Sequence, residues 1–280
     1  MPDCTCPEAT PGAPPWQATL RLRFDDDAGT TRLTRREHRG PLRVQKALYP
    51  EGPRHCHVIV VHPPGGVVGG DRLELDLEAG AATRVLATTP GAAKWYRANG
   101  RLSMQDVRLR VGAGAALEWL PQETIFYDDA DVLLEHEVDL APDARYIGSE
   151  ILCFGRRASG EHFRRGRVRQ RTRIRLDGRP VWWEQGTLHG GDAMRSPLGL
   201  NGHSVCATLL AVGKPLPPAM LDALRAADPA LALSQVRKVF VARHLGDDSE
   251  AARACLLRVW QALRPHLLDV PARVPRIWQT

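Results

Sequence analysis

Leu75-Asp76-Leu77-Glu78-Ala79-Gly80-Ala81-Ala82-Thr83-Arg84-Val85-Leu86 and, at an offset of 34, Leu109-Arg110-Val111-Gly112-Ala113-Gly114-Ala115-Ala116-Leu117-Glu118-Trp119-Leu120 carry one pattern twice. Each copy is a strand, a small-residue turn and another strand. Alternating apolar residues put one side of a strand into a core. One unit cannot bury its own apolar side, so successive units must stack. The long crossover helices of a doubly wound α/β protein are missing. The expected fold is therefore mainly β, a stacked or helical β-sheet arrangement with a few helices, chiefly C-terminal.

Strand character spreads outward from this echo. It covers 16–23, 42–48, 56–62, 72–77, 83–88, 103–111, 116–120, 132–140, 145–154, 168–176, 181–188, 205–210 and 236–243, with Gly, Pro, Asp and Asn at the breaks. Helical spacing of Ala252, Leu256, Val259, Trp260, Leu263 and Leu267 predicts a helix over 249–267, with Asp247, Asp248 or Ser249 as N-cap. Shorter helices are expected over 218–227 and 89–98. Residues 1–15, rich in proline, read as a disordered tail, and 16–280 as a single β-rich domain.

His62-Pro63-Pro64-Gly65-Gly66-Val67-Val68-Gly69-Gly70-Asp71 lies between two strand segments. Glycine and proline specify backbone shape, and the run holds no nucleophile. It lacks the Gly-Lys-Ser/Thr ending of a phosphate-binding loop and opens no helix, so nucleotide binding is not expected. It reads as a structural turn that sets how two β-layers meet, near a surface or passage.

The 280 residues carry 43% apolar and 25% charged residues and a formal charge of +6. No run of 18 uncharged apolar residues exists and no basic-then-apolar leader opens the chain, so no membrane partner is expected and the localisation expected is cytoplasmic. Six cysteines without a secretion signal argue against a disulfide scaffold. The spacing of Cys4-x-Cys6 is too short for a zinc knuckle. Arginine clusters at 35–36, 156–157 and 164–175 suggest an acidic partner surface. Arg169, Arg171 and Arg173 share one face of a strand, as a docking face or a solvated one. No nucleic-acid-binding motif accompanies them, so no nucleic acid partner is expected.

No catalytic set emerges. Gly202-His203-Ser204-Val205-Cys206 lacks the last glycine of a nucleophile elbow. His136 has glutamate on both sides but no second histidine one helical turn away. Cys56, His57 and His62 are soft or borderline ligands that suit nickel or zinc. A single strand offers at most two ligands on one face, so a closed site needs distant partners. The metal ligands are therefore left unassigned, no tightly bound cofactor is expected, and transient nickel is compatible. Lys94-Trp95-Tyr96-Arg97 forms a basic and aromatic cluster of the kind common at interfaces.

Several longer motifs stand in order along the chain. They are Leu42-Arg43-Val44-Gln45-Lys46-Ala47-Leu48-Tyr49-Pro50-Glu51-Gly52, the 62–71 run, Thr88-Thr89-Pro90-Gly91-Ala92-Ala93-Lys94-Trp95-Tyr96-Arg97 and Trp119-Leu120-Pro121-Gln122-Glu123-Thr124-Ile125-Phe126. Gly155-Arg156, Gly160-Glu161, Arg243-His244-Leu245-Gly246, Trp260-Gln261-Ala262-Leu263-Arg264-Pro265 and Pro275-Arg276-Ile277-Trp278 complete the set. Together they resemble the urease accessory protein family UreD, called UreH in some organisms. The resemblance implies a non-catalytic scaffold that binds the urease apoprotein and recruits a UreF-type accessory protein, which engages a UreG-type GTPase. It further implies help in nickel delivery, a route for nickel through the protein, and a mainly β fold. Candidate interaction or nickel-path residues are Cys56, His57, His62, Asp71, Lys94, Tyr96, Arg97 and Glu123; candidate partner-docking residues are Arg169, Arg171, Arg173, Arg264 and Trp278. Two other readings stand beside it: an enzyme acting on a small acidic substrate held by the 167–175 arginines, and a nucleic-acid-binding protein.

Overall fold

The computed structural model describes residues 15–279. The tail expected at 1–15, with Cys4 and Cys6, lies outside the described residues apart from Pro15.

The chain runs β1 (Gln17–Asp27), β2 (Thr30–Arg39), β3 (Arg43–Val44), β4 (His55–Val61), β5 (Arg72–Ala79), β6 (Arg84–Thr88), β7 (Ala93–Trp95), β8 (Ser103–Val111), β9 (Ala116–Leu120), β10 (Thr124–Phe126), β11 (Ala130–Leu140), β12 (Arg145–Phe154), β13 (Gly166–Leu176), β14 (Arg179–His189), β15 (Val205–Val212), α1 (Pro218–Ala227), β16 (Leu231–Val236), β17 (Val239–Gly246) and α2 (Ser249–Leu268). Seven strands form one sheet in the order β14-β13-β11-β8-β5-β1-β2; the second, ten-stranded sheet follows β16-β17-β15-β12-β9-β6-β4-β3, with β7 and β10 off that path. From β4 to β13 the chain winds as a coil, alternating between the sheets so that successive turns pair in parallel.

The coil's repeat differs from the sequence echo by two residues. Arg72 stands beside Met104 and Arg84 beside Ala116, an offset of 32 rather than 34. Gly80 is thus stacked on Gly112, whose amide donates to the Ala79 carbonyl at 2.8 Å. A Cβ on Gly112 would lie 2.8 Å from the Ala81 nitrogen, so the stacked turns demand glycine there. A two-residue slip leaves the inward and outward parity of each strand unchanged, which is why the echo still indicated the right architecture.

Between the sheets lie Leu20, Phe24, Leu75, Leu77, Leu109, Leu117 and Trp119. The ten-stranded sheet is covered on its other side by the helices, with Ile147, Leu209, Phe240, Leu256, Val259, Trp260 and Leu263 packed together. Strands covered on both faces read as nearly continuous apolar runs, as β9 and β15 do. Asp248 caps α2, its carboxylate accepting from the amides of Glu250 and Ala251.

The seven-stranded sheet turns a charged face outward. One row across it reads Glu37, Arg21, Asp76, Arg108, Glu137, Arg173, alternating in sign over six strands. Among the described residues Arg21–Asp76 and Arg173–Glu137 are the neighbours of this row that close to ion pairs, and such partly exposed pairs contribute about 0.2–1 kcal/mol each.

The structure corrects several expectations. Residues 89–98 hold no helix: Pro90 and Gly91 interrupt it, and Ala93–Trp95 pairs with Thr124–Phe126 as a strand. The 42–48 segment is strand only at Arg43–Val44, plus one bridge from Leu48 to His57. Strands β2, β10 and β16 were not expected. β2 is mostly polar, exposed on the sheet edge and held by backbone pairing to β1. Val236, assigned to the next strand, instead ends β16, and a hairpin through Arg237 (φ 54°) returns the chain at Val239.

Candidate functional site

The 62–71 run carries the chain from β4 in one sheet to β5 in the other. At its centre the Val67 amide donates to the Lys94 carbonyl (2.8 Å) and Tyr96 donates back to Val67 (2.9 Å). Segments around 67, 93–95, 124–126 and 152–154 thus stack as a narrow third side of the coil. Gly69 is pressed against the neighbouring coil: a Cβ there would sit 1.8 Å from the Ala98 carbonyl oxygen. Gly66 faces the Tyr96 ring, and Gly65 and Gly70 have φ of +79° and +96°. The buried Asp71 carboxylate accepts from the amides of Trp16 (2.9 Å) and Val68 (3.0 Å), so it closes the corner. Pro63 and Pro64 are exposed. His62 is half-buried, and burial lowers its pKa against the pull of Asp71.

A corner pocket of about 230 Å³ opens here, lined by His62, Gly66, Lys94, Gln105, Trp119 and Thr124 among others. Gln105, Trp119, Pro121 and Thr124 also line a second cavity, of about 80 Å³, between the two sheets. Its walls include His136, Tyr146, Glu150, Gln170, Thr172 and Glu184, a polar set in a place where sheet packing normally puts aliphatic side chains. Tyr146 Oη lies 3.1 Å from His136 Nε2. Gln170 donates to Glu150. Burial lowers the His136 pKa to about 4. Burial, reinforced by the Glu184 charge, raises Glu150 to about 7 although the Gln170 hydrogen bond opposes it.

Of these cavity residues the sequence reading weighs only His136, and sets it aside for want of a second histidine; Glu150 inside the apolar run of β12 is the signal that marks the spot. Among the described residues, no three His, Cys, Asp or Glu side chains converge as metal ligands.

The sequence-derived candidates do not gather into one cluster. Cys56 points into the inter-sheet core, and burial pushes its thiol up to about 11. His55 and His57 face the other way; burial lowers His55 to about 4, and His57 Nε2 lies 2.7 Å from Glu51 Oε1. Lys94 and Arg97 are exposed, and Tyr96 packs edge-on against Tyr127 with ring centroids 4.7 Å apart. Glu123 is buried, 3.6 Å from Arg253 Nε.

Arg264 is no surface residue. It is fully buried, donating to Glu118 (3.1 Å), to Glu51 (2.6 and 2.8 Å) and to the Pro271 carbonyl (2.6 Å). Burial works to raise the Glu51 pKa, but the hydrogen bonds from His57 and Arg264 outweigh it and hold it at about 2. Trp278 donates to Thr88 Oγ1 (2.8 Å) and packs edge-on to Trp260, whose Nε1 donates to Glu118 (2.6 Å). These contacts tie the C-terminal segment and α2 to the ten-stranded sheet.

The strand arginines are also spoken for. β11 runs beside β13 in register, so Arg167, Arg169, Arg171, Arg173 and Arg175 meet Asp131, Glu135, Glu137 and Asp139. No bare cationic face remains on β13 for a small acidic substrate.

Coiled sheets enclosing a polar chamber, braced by helices on one side, define a β-coil protein built around shape and surfaces. The chain belongs to the UreD urease accessory protein family, whose sequence model matches residues 17–279. It is 59% identical over 271 residues to the urease accessory protein UreD of Janthinobacterium sp. (strain Marseille), covering 94% of this chain and 92% of that one. It is 47% identical to UreD of Nitrosospira multiformis (95% and 98% covered) and 48% identical to UreD of Dechloromonas aromatica (96% and 96%). Membership makes it an accessory protein in urease maturation and not an enzyme.

Proposed function

We propose that this chain is a scaffold that binds the urease apoprotein in the cytoplasm, recruits a UreF-type protein and through it a UreG-type GTPase, and lets nickel pass transiently toward the urease active site. The observation that carries the reading is the polar chamber between the sheets and the wall it shares with the corner pocket at His62. Carboxylates and imidazole inside a β-sandwich cost desolvation free energy that their own hydrogen bonds to Gln170 and Tyr146 offset only in part, so their presence favours a polar passenger over a purely packing role. Glu150, with its pKa at about 7, supplies a carboxyl oxygen that ionises near neutrality, Glu184 supplies carboxylate oxygen beside Arg243, and His136 supplies an imidazole nitrogen that burial keeps neutral at pH 7. Such a set offers weak successive contacts, which suits a cation in transit better than one held.

The test is recovery of the tagged protein from its native cell, followed by identification of partners and metal analysis of the complex. Urease subunits and the UreF-type protein are expected to co-purify. A Glu150→Leu variant is expected to keep those partners while nickel loading of urease falls. Fully nickel-loaded urease in a strain lacking the gene would refute the scaffold reading.

A further inference from the structure

Three neighbouring loops meet on the edge where the ten-stranded sheet hands the chain to the seven-stranded one. The Ala98 amide donates to the Asp129 carbonyl (2.9 Å), and the Asp129 amide donates to the Arg165 carbonyl (3.0 Å). Residues 94–101, 127–129 and 156–165 are thereby laid side by side. They hold the basic residues Lys94, Arg97, Arg101, Arg156, Arg157, Arg164 and Arg165 against the acidic Asp128, Asp129 and Glu161.

The acids do little to neutralise this edge. Asp128 Oδ1 accepts the backbone amides of Arg164 and Arg165, both at 2.8 Å, leaving those guanidinium groups outward. Glu161 is engaged by Arg156 and the Asp128 amide. Lys94, Arg97, Arg164 and Arg165 are exposed and form no ion pair among the described residues. On β13, by contrast, each arginine has a carboxylate beside it on β11.

We propose that Arg97, Arg164 and Arg165 form the centre of a docking surface for an acidic face of a protein partner. This rests on the scaffold reading and names the chemistry of one of its contacts. Guanidinium groups fixed on backbone-paired loops suit bidentate recognition of carboxylates. Asp129, half-buried and without an ion pair among the described residues, keeps one negative charge among them, which opposes a uniformly anionic polymer or bilayer and suits a localised acidic patch on a protein. The nearby rings are engaged: Tyr96 meets Tyr127, and the Arg156 guanidinium sits 4.4 Å from the Tyr127 centroid, so no stacking platform for bases is presented. Lys94, three residues before Arg97, also lines the corner pocket.

The test uses full-length protein, purified apo-urease and purified UreF-type protein, each pair titrated at low and high salt. The edge variant is R97E/R164E/R165E; the control, R179E/K238E/R276E, changes net charge equally at exposed sites elsewhere. With thermal midpoints matched to wild type, the edge variant is expected to bind one of the two proteins about ten-fold or more weakly, most at low salt, with the control unchanged. Wild-type binding with equal binding by the edge variant sinks the docking surface alone, as does an equal loss in the control. The same variants are titrated with duplex DNA and with anionic vesicles, and a loss confined to those overturns it too. A wild-type protein that binds neither partner sinks the scaffold reading and the docking surface together.

Discussion

Replacing Arg264 with methionine tests whether the buried charge cluster anchors the helix layer. The Arg264 side chain is 0% exposed, and its partners Glu118 and Glu51 are 3% and 8% exposed. Methionine keeps the aliphatic stem but leaves two carboxylates buried without their cation and frees the Pro271 carbonyl. Breaking a buried pair in this way costs about 3–5 kcal/mol. The Glu51 pKa gives a separate figure: a carboxyl held at about 2 instead of 4.5 corresponds to about 3 kcal/mol of favourable interaction with its surroundings. Both are large beside a total stability of about 5–15 kcal/mol.

Denaturant unfolding across pH is the assay. Because the folded-state pKa of Glu51 lies below its unfolded value, its contribution is present above pH 4.5 and is lost as pH falls toward 2. The cost of Arg264→Met is therefore greatest near neutrality and shrinks by pH 3. Adding Glu118→Gln, which keeps an acceptor for the Trp260 indole, should restore part of the loss, since one uncompensated charge is removed. A cost under about 1 kcal/mol, or one equally large at pH 3 and pH 7, would refute the reasoning.

Gly69→Ala drives a methyl into the Ala98 carbonyl and should lower stability by about 3 kcal/mol or more, whereas Gly91→Ala, with nothing within 4 Å of the added Cβ, should stay within about 0.5 kcal/mol by thermal unfolding. The Glu150 pKa is raised to about 7, so its protonated form favours folding and its contribution declines as pH rises from about 4.5 through 7; Glu150→Gln should flatten that slope in a stability–pH profile. Neutralising Arg169, Arg171 and Arg173 to glutamine should leave affinity for apo-urease and the UreF-type protein within about two-fold, measured by titration, because β11 already occupies those side chains.

How much of this was legible depended on whether the deciding contact was local. The stacked β architecture was readable from 75–86 and 109–120 because alternation of apolar residues is a property of one strand. The helix at Ser249–Leu268 was readable for the same reason, its apolar face recurring every three or four residues. The short strands β7 and β10 were not, since three residues carry no period and Ala93–Trp95 is extended only because another coil pairs with it.

Charge is where sequence misled most, and the reason is register. Arg164 to Arg175 looks like one basic tract, yet the structure divides it near Gly166. From Arg167 onward the arginines meet an acidic row on β11, 36 residues earlier for Arg167, Arg171, Arg173 and Arg175 and 38 for Arg169, reached only through the β11–β13 pairing. Before Gly166 the backbone turns into the loop edge, where the carboxylate of Asp128 is drawn to amides and the Arg164 and Arg165 guanidinium groups have no ion pair among the described residues. Counting arginines could not separate these halves; pairing strands does, and we accordingly seek the proposed acidic partner at the loops that precede β13.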